Sequence, residues 1–248
     1  MTEQVLELSG LCKSYPGFLL DNVFLSLGRG RIMGLIGRNG AGKTTMLKSV
    51  FNLVHPDGGS VRILGLNMPE KEREIKMRIG FAGGAVDFYK RKKIKDIISV
   101  TKTFYDNWDE AAYRKYLSAF SIDEEKTPLQ LSEGMRVKLS LTVAMSHRAE
   151  LLILDEPTSG LDPVSRAELL DAFLFLRDKE VSILYSTHIT SDLEKCADDI
   201  SYIVRGKLIA SEPIGEFISK NAEAGRGNTI EDIMVSYEKG SLYEKIAD

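Results

Sequence analysis

Two cysteines, Cys12 and Cys196, are all that this 248-residue chain contains. They stand far apart without metal-ligand spacing, which excludes a disulfide scaffold and a zinc ribbon and leaves reduced thiols as the expectation. No apolar run approaches the eighteen or so residues that cross a bilayer. The opening stretch MTEQVLELSG lacks the basic-then-apolar profile of a signal peptide. A soluble cytosolic chain is therefore expected, with any role at a membrane exerted through a partner. Positive charge is not in excess: 33 Lys and Arg stand against 36 Asp and Glu, a net charge of −3. Duplex binders carry a basic surplus, so nucleic acid is not expected as a partner. Internal repeats and low-complexity segments are also lacking. The length suffices to bury a sizeable core as one domain, or one domain with a subdomain.

What the sequence does have is concentrated between residues 32 and 51. Ile32-Met33-Gly34-Leu35-Ile36 reads as a strand buried on both faces. Met46, Leu47, Val50 and Phe51 fall on one face of a following helix. Between them lies Gly37-Arg38-Asn39-Gly40-Ala41-Gly42-Lys43-Thr44, with Thr45 after it, a G-x-x-x-x-G-K-T loop in strand-to-helix context. Gly37, Gly40 and Gly42 let the backbone curl around a phosphate chain with its N–H groups inward, and the helix N-terminus adds its dipole. Lys43 is placed to reach the β- and γ-phosphates, and the Thr44 hydroxyl to hold Mg²⁺. The pattern predicts binding of a nucleoside triphosphate.

Along the rest of the chain, Val5 to Leu8 and Val23 to Leu27 read as strands, with a bend at Tyr15-Pro16-Gly17. Tyr15 is a stacking platform for a base or an aromatic packed beside Pro16. Residues 58–66 read as a hairpin or meander, Lys71 to Met77 as a short charged helix, and Ile79-Gly80-Phe81 as a strand. From Phe88 to Glu150 helix formers take over, with amphipathic spacing in Ile94 to Phe104 and Ala111 to Phe120. Lys90 to Lys93 is a solvated basic face or a docking contact, and Phe104, Tyr105 and Trp108 are expected to pack this region. Buried strands return at Leu151 to Leu154 and Val181 to Tyr185, with a helix between them at Ala167 to Leu176. A hairpin turning at Arg205-Gly206 follows. Alternating strands and helices imply an α/β fold with a parallel sheet.

Asp155 and Glu156 end a core strand, where ligands bind in open α/β sheets. Adjacent carboxylates there need compensating charge such as Mg²⁺, or else they are surface acids capping the next helix. Ser132 reads as the N-cap of a helix beginning around Arg136. Gly134, in its first turn, costs about 1 kcal/mol relative to Ala and suggests close approach by a ligand such as a γ-phosphate.

Together these motifs resemble the nucleotide-binding subunits of ABC transporters over nearly the whole chain. Gly37 to Thr45 is similar to the Walker A loop, Leu131 to Met135 to the LSGGQ signature, and Leu151 to Glu156 to the Walker B strand. Ser159 to Asp162 resembles the D-loop, His188 the switch histidine and Tyr15 the adenine-stacking aromatic. The resemblance implies a P-loop NTPase core over 1–87 and 151–212 that includes an N-terminal antiparallel β subdomain. It also implies an inserted helical subdomain over 88–150 and a helical tail over 213–248, all within one ABC ATPase domain.

For the site it implies ATP and Mg²⁺, with Asp155 and Thr44 at the metal, Glu156 polarising the attacking water, and Lys43 and His188 at the leaving phosphate. A second copy or paralogue would present Ser132, Gly134 and Asp162 to the first copy's nucleotide. A separate integral membrane permease would be moved, and the chain would sit on the cytoplasmic face of the cell membrane. Phe104-Tyr105-Asp106-Asn107-Trp108-Asp109 is similar to ABC-2 exporters, as Thr229 to Ile233 is to a segment near the end of exporter-type ATPases. A soluble cofactor-assembly ATPase and a nucleotide-gated binding module are the alternatives. Two departures stand out. Glu133 and Met135 occupy signature positions where Gly and Gln are usual, and Gly84 occupies the place of a metal-ligating Gln, with Asp87 the nearest polar substitute.

Overall fold

Apolar residues run almost unbroken through β3 (Ile32–Ile36) and β7 (Leu151–Asp155), and β8 (Ser182–Thr187) is buried at every residue around its apolar centre Ile183-Leu184-Tyr185, as strands covered on both faces require. A computed structural model of the chain describes residues 3–83 and 89–246. The three strands form the centre of a six-stranded sheet with β6 (Ile79–Gly83), β9 (Asp199–Val204) and β10 (Lys207–Pro213), in the order β10-β9-β3-β8-β7-β6. All neighbours are parallel except the β9–β10 hairpin, which turns at Arg205-Gly206 and forms one edge.

Strand alternation sorts the core into two layers. Met33, Leu35, Leu151, Ile153 and Leu184 face α1 (Lys43–Val50) and an N-terminal antiparallel sheet. Ile32, Ile36, Leu152, Leu154, Ile183 and Tyr185 face the other way, against α6 (Pro163–Arg177), α7 (Thr190–Cys196) and α8 (Ile214–Glu223). Gly34 matters in this second layer, because a Cβ there would sit 1.7 Å from Leu193 Cδ2. Its bare backbone lets α7 lie directly on the strand.

The antiparallel sheet has the order β2-β1-β4-β5, built from β1 (Gln4–Tyr15), β2 (Phe18–Gly28), β4 (Gly58–Ile63) and β5 (Leu66–Met68). The first two strands are longer than the alternation of Val5 to Leu8 and Val23 to Leu27 suggests. Register shifts around Leu11, next to Gly10 at φ +64°, break the period while the pairing continues.

Between α2 (Glu72–Lys76) with β6 on one side and β7 on the other, the described elements are helical: α3 (Ile94–Thr101), α4 (Glu110–Ala119) and α5 (Glu133–Ser146). Ile94, Ile98, Tyr113, Leu117, Ile122 and Leu131 form their core, with Trp108 packed against it. Tyr105 stacks on His147 with ring centroids 4.0 Å apart. Phe104 does not pack and is 69% exposed. The helix expected to reach it ends at Thr101 and tightens into a 3-10 turn over Lys102–Phe104, whose different residue period takes Phe104 off the apolar face. After β10 and α8 the chain ends in α9 (Ile230–Ile246).

Candidate functional site

The loop between β3 and α1 owes its shape to glycine. Gly37 and Gly42 have φ of +155° and +115°, values that side-chain-bearing residues rarely adopt. A Cβ on Gly37 would also lie 2.3 Å from the Ile203 carbonyl oxygen. Gly42 is the N-cap of α1 and supplies no side-chain acceptor, so the first N–H groups of the helix are left for a ligand. The loop walls a cavity of about 480 Å³ lined by Tyr15, Phe18, Arg38, Asn39, Gly40, Gly42, Lys43, Thr44, Thr45 and Glu156. Ala41 is buried beneath it, with its carbonyl accepting from Gly206 N at 2.8 Å. Tyr15 stands at the end of β1, 41% exposed, with the Lys13 ammonium 5.5 Å from its ring centroid. Its ring is thus offered to the cavity.

Lys43 is 5% exposed. Its Nζ donates to Gly37 O at 2.7 Å and lies 3.3 Å from Glu156 Oε1. A buried ammonium needs such partners, and the glutamate is its counter-charge. The other Glu156 oxygen, Oε2, is 2.8 Å from His188 Nδ1. Because a carboxylate only accepts, Nδ1 carries the proton and Nε2 is left to face a ligand. Glu156 itself sits at φ +51°, a strained conformation for a residue with a side chain.

Asp155 accepts from Thr44 Oγ1 at 2.9 Å and from Ser186 Oγ at 2.6 Å. Thr44 and Asp155 thus bring together two hard oxygen donors. Mg²⁺ takes one or two protein oxygens and completes its octahedron with waters and phosphate oxygens, so this pair fits it. Among the described residues no group of three or more His, Cys, Asp or Glu side chains is arranged to hold a metal. A dedicated all-protein cage is not what magnesium needs.

Ser186 is the functional residue that the sequence reading missed. Its Oγ donates to Asp155 and accepts from Glu156 N at 2.9 Å, clamping both acids from the neighbouring strand. The signal is register: β7 and β8 run in parallel with Asp155 paired to Ser186, but pairing is invisible along one chain.

Ser132, Gly134 and Asp162 lie elsewhere. Ser132 Oγ caps α5 by accepting from Met135 N at 3.3 Å. Asp162 caps α6, accepting from Val164 N at 3.0 Å and Ser165 N at 3.1 Å; hydrogen bonds from Ser165 and the helix backbone hold its carboxyl below the usual range. The space a Cβ on Gly134 would need is bordered by Leu161 and Ser165 of the same chain, at 3.3 and 3.6 Å. Packing of α5 on the start of α6 is therefore a reason for glycine that needs no phosphate. None of the three lines the chain's own cavity. Gly84 and Asp87 lie outside the described residues, and the proposed metal substitution by Asp87 with them.

A family model described as ABC transporter matches residues 20–159. The bacitracin transport ATP-binding protein BcrA of Enterococcus faecalis is 31% identical over 223 residues, covering 88% of this chain and 72% of that protein. The ABC transporter ATP-binding protein YtrB of Bacillus subtilis is 30% identical over 206 residues, 82% of this chain and 70% of that one. Among solved structures, the ATP binding subunit of an ABC transporter superposes with a TM-score of 0.82 at 26% identity, over 93% of this chain and 98% of that one.

Proposed function

The chain belongs to the ABC transporter family, and from that premise we propose that it is the ATPase subunit of an exporter whose membrane-spanning part is a separate polypeptide. ATP hydrolysis follows from the family itself. The observation that supports the site assignment is the meeting of Lys43, Thr44, Asp155, Glu156 and His188 at the carboxyl ends of three adjacent parallel strands. Phosphoryl transfer needs mostly positioning and charge neutralisation, and these residues supply both.

In this reading the Tyr15 ring stacks on the adenine. Gly37, Asn39, Gly40, Ala41, Gly42 and Thr45 cradle the phosphates with Lys43 and Thr44. Thr44 and, through a water, Asp155 would hold Mg²⁺, which when bound would neutralise charge on the phosphate oxygens. A polyphosphate competes with Glu156 for the Lys43 ammonium. As Lys43 turns to the phosphate, Glu156 Oε1 is released to orient a water and take its proton. His188, already held by Oε2, would donate from its second nitrogen to the leaving phosphate with both ring nitrogens protonated.

Relatives named for transport support a membrane partner. Among the described residues no helix is long and apolar enough to cross a membrane; in the proposed arrangement the spanning part is another chain, with this one peripheral on the cytoplasmic face. Two copies, or a copy and a paralogue, would pair head to tail across the nucleotide. Ser132, Gly134 and Asp162 of one would then face the other's cradle.

Glu156→Gln is expected to retain ATP binding and lose at least about 100-fold in turnover, the usual worth of a positioned base. The transport assignment is checked by affinity purification from native membranes in mild detergent. A stoichiometric integral membrane protein should come with the chain. Recovery of the chain only in soluble complexes would favour a cofactor-assembly ATPase instead.

A further inference from the structure

Both cations of the phosphate loop are held by glutamates from elsewhere in the fold. Lys43 has Glu156, and the second is Arg38, whose Nη1 lies 3.3 Å from Glu238 Oε2. Glu238 belongs to α9, and its place there follows from packing. Ile230, Ile233, Met234 and Tyr237 form an i, i+3, i+4, i+7 stripe that enters the second core layer. Tyr237 meets Tyr202 edge-on at 5.4 Å between centroids. Tyr202 pairs in register with Ile36, the last residue of β3 before the loop. The residue after Tyr237 is thereby set beside the residue after Gly37. The Glu238 carboxylate is 17% exposed, whereas Arg38 is 66% exposed and lines the nucleotide cavity. The buried Tyr202 hydroxyl, without a hydrogen-bond partner among the described residues, lies in the field of both charges.

We propose that Glu238 is a positioning residue for nucleotide binding: from the C-terminal helix it holds the Arg38 guanidinium away from the phosphates, so that α9 docking and ATP binding compete for one cation. The proposal rests on ATP occupying the loop. Two anions, the carboxylate and the polyphosphate, compete for one guanidinium, and the coupling is reciprocal: ATP loosens α9, and loss of Glu238 tightens ATP. Arg38 would then add charge to the cradle beside Lys43. A message from the catalytic loop would reach the end of the chain without passing through the helical subdomain.

Binding of a fluorescent ATP analogue is measured on the full chain for wild type, Glu238→Gln, Arg38→Gln and the double variant. Glu238→Gln should tighten binding about three- to fivefold, the span of an exposed ion pair of up to about 1 kcal/mol. In the Arg38→Gln background the same change should do nothing, and Glu238→Asp should restore part of the wild-type value. Hydrogen exchange of 230–246 should speed up when ATP is added to wild type and not to Arg38→Gln. A pair that only staples the tail would lower the melting temperature and leave affinity alone. That result, or an equal effect in both backgrounds, overturns the proposal. If wild type itself binds no nucleotide, the phosphate-site reading fails first and this one falls with it.

Discussion

Ser186 has the most to lose from a single-atom change at the site. Its hydroxyl is fully buried and joins Asp155 to the Glu156 backbone. Ser186→Ala takes the hydroxyl from Asp155 and leaves the Glu156 N–H with only the Ser186 carbonyl, 3.2 Å away, at a cost of about 0.5–1.5 kcal/mol for each hydrogen bond lost. The acids would lose their alignment while the glycine cradle stays intact. Turnover is expected to fall about tenfold or more, with the affinity for ATP within about twofold of wild type; equal losses in both would place Ser186 in binding. That residue also marks where the sequence stops speaking. Lys43 and Thr44 are readable because the motif that places them is local, within one loop and one helix start, although Glu156 and Asp155, which they meet, come from a distant strand. Ser186 and Glu238 act across strand pairs and between ends of the chain, where no spacing rule reaches. His147 is a different case, buried at 1% exposure under the Tyr105 ring. Burial lowers its pKa to about 4, below the usual His value of about 6.5. Between those values the unfolded chain takes up a proton that the folded chain refuses. Stability should therefore decline as pH drops from about 6.5 to 4, by roughly 3 kcal/mol at the lower end. Urea midpoints across that range should show the slope in wild type, and a flatter one in His147→Phe.

At the scale of elements, the phosphate loop, the parallel strands and the capped signature helix were readable because each is specified by its own residues. Leu151 to Leu154 admits a buried strand whatever surrounds it, and Ser132 admits a cap. The β1–β2 hairpin was only half readable because Gly10 and the register shifts interrupt a pattern that the pairing itself does not need. The outward turn of Phe104 was hidden for a related reason: the sequence carries the helical period for three residues beyond the helix. How closely elements approach is written in glycines whose meaning appears only in three dimensions. Gly34 is the sharpest of these. A methyl group there would meet Leu193 Cδ2 at 1.7 Å, forcing α7 off β3 and moving the His188 loop that precedes α7. Gly34→Ala is expected to destabilise the chain by about 1–3 kcal/mol through overpacking. Adding Leu193→Val, which makes room for the methyl, should recover part of the loss. Denaturant unfolding of both variants measures it, and a Gly34→Ala chain as stable as wild type would show that α7 floats on the sheet.

For the whole molecule, the groups expected to complete the site lie outside its cavity. Ser132, Gly134 and Asp162 do not line the cavity their own chain provides, so one chain presents a cradle and, apart from it, a capped helix tip. In the proposed head-to-tail pair, a two-fold operation would bring each tip to the other cradle and satisfy both at once. With hydrolysis blocked by Glu156→Gln, ATP and Mg²⁺ should shift the chain from the mass of one copy to that of two by size exclusion with light scattering. Truncating the tip would be an ambiguous control, since losing the Ser132 cap also costs about 1 kcal/mol of helix stability. Ser132→Asp avoids this. Aspartate caps a helix as well as serine does, so α5 keeps its start and the chain its fold. Its carboxylate would nevertheless face the partner's triphosphate across a closed interface, where like charges repel most strongly. Glu156→Gln with Ser132→Asp should bind ATP as a single chain with unchanged affinity and fail to pair. If it pairs as readily as Glu156→Gln alone, the helix tip is not at the nucleotide, and the head-to-tail arrangement is wrong even though the cradle is right.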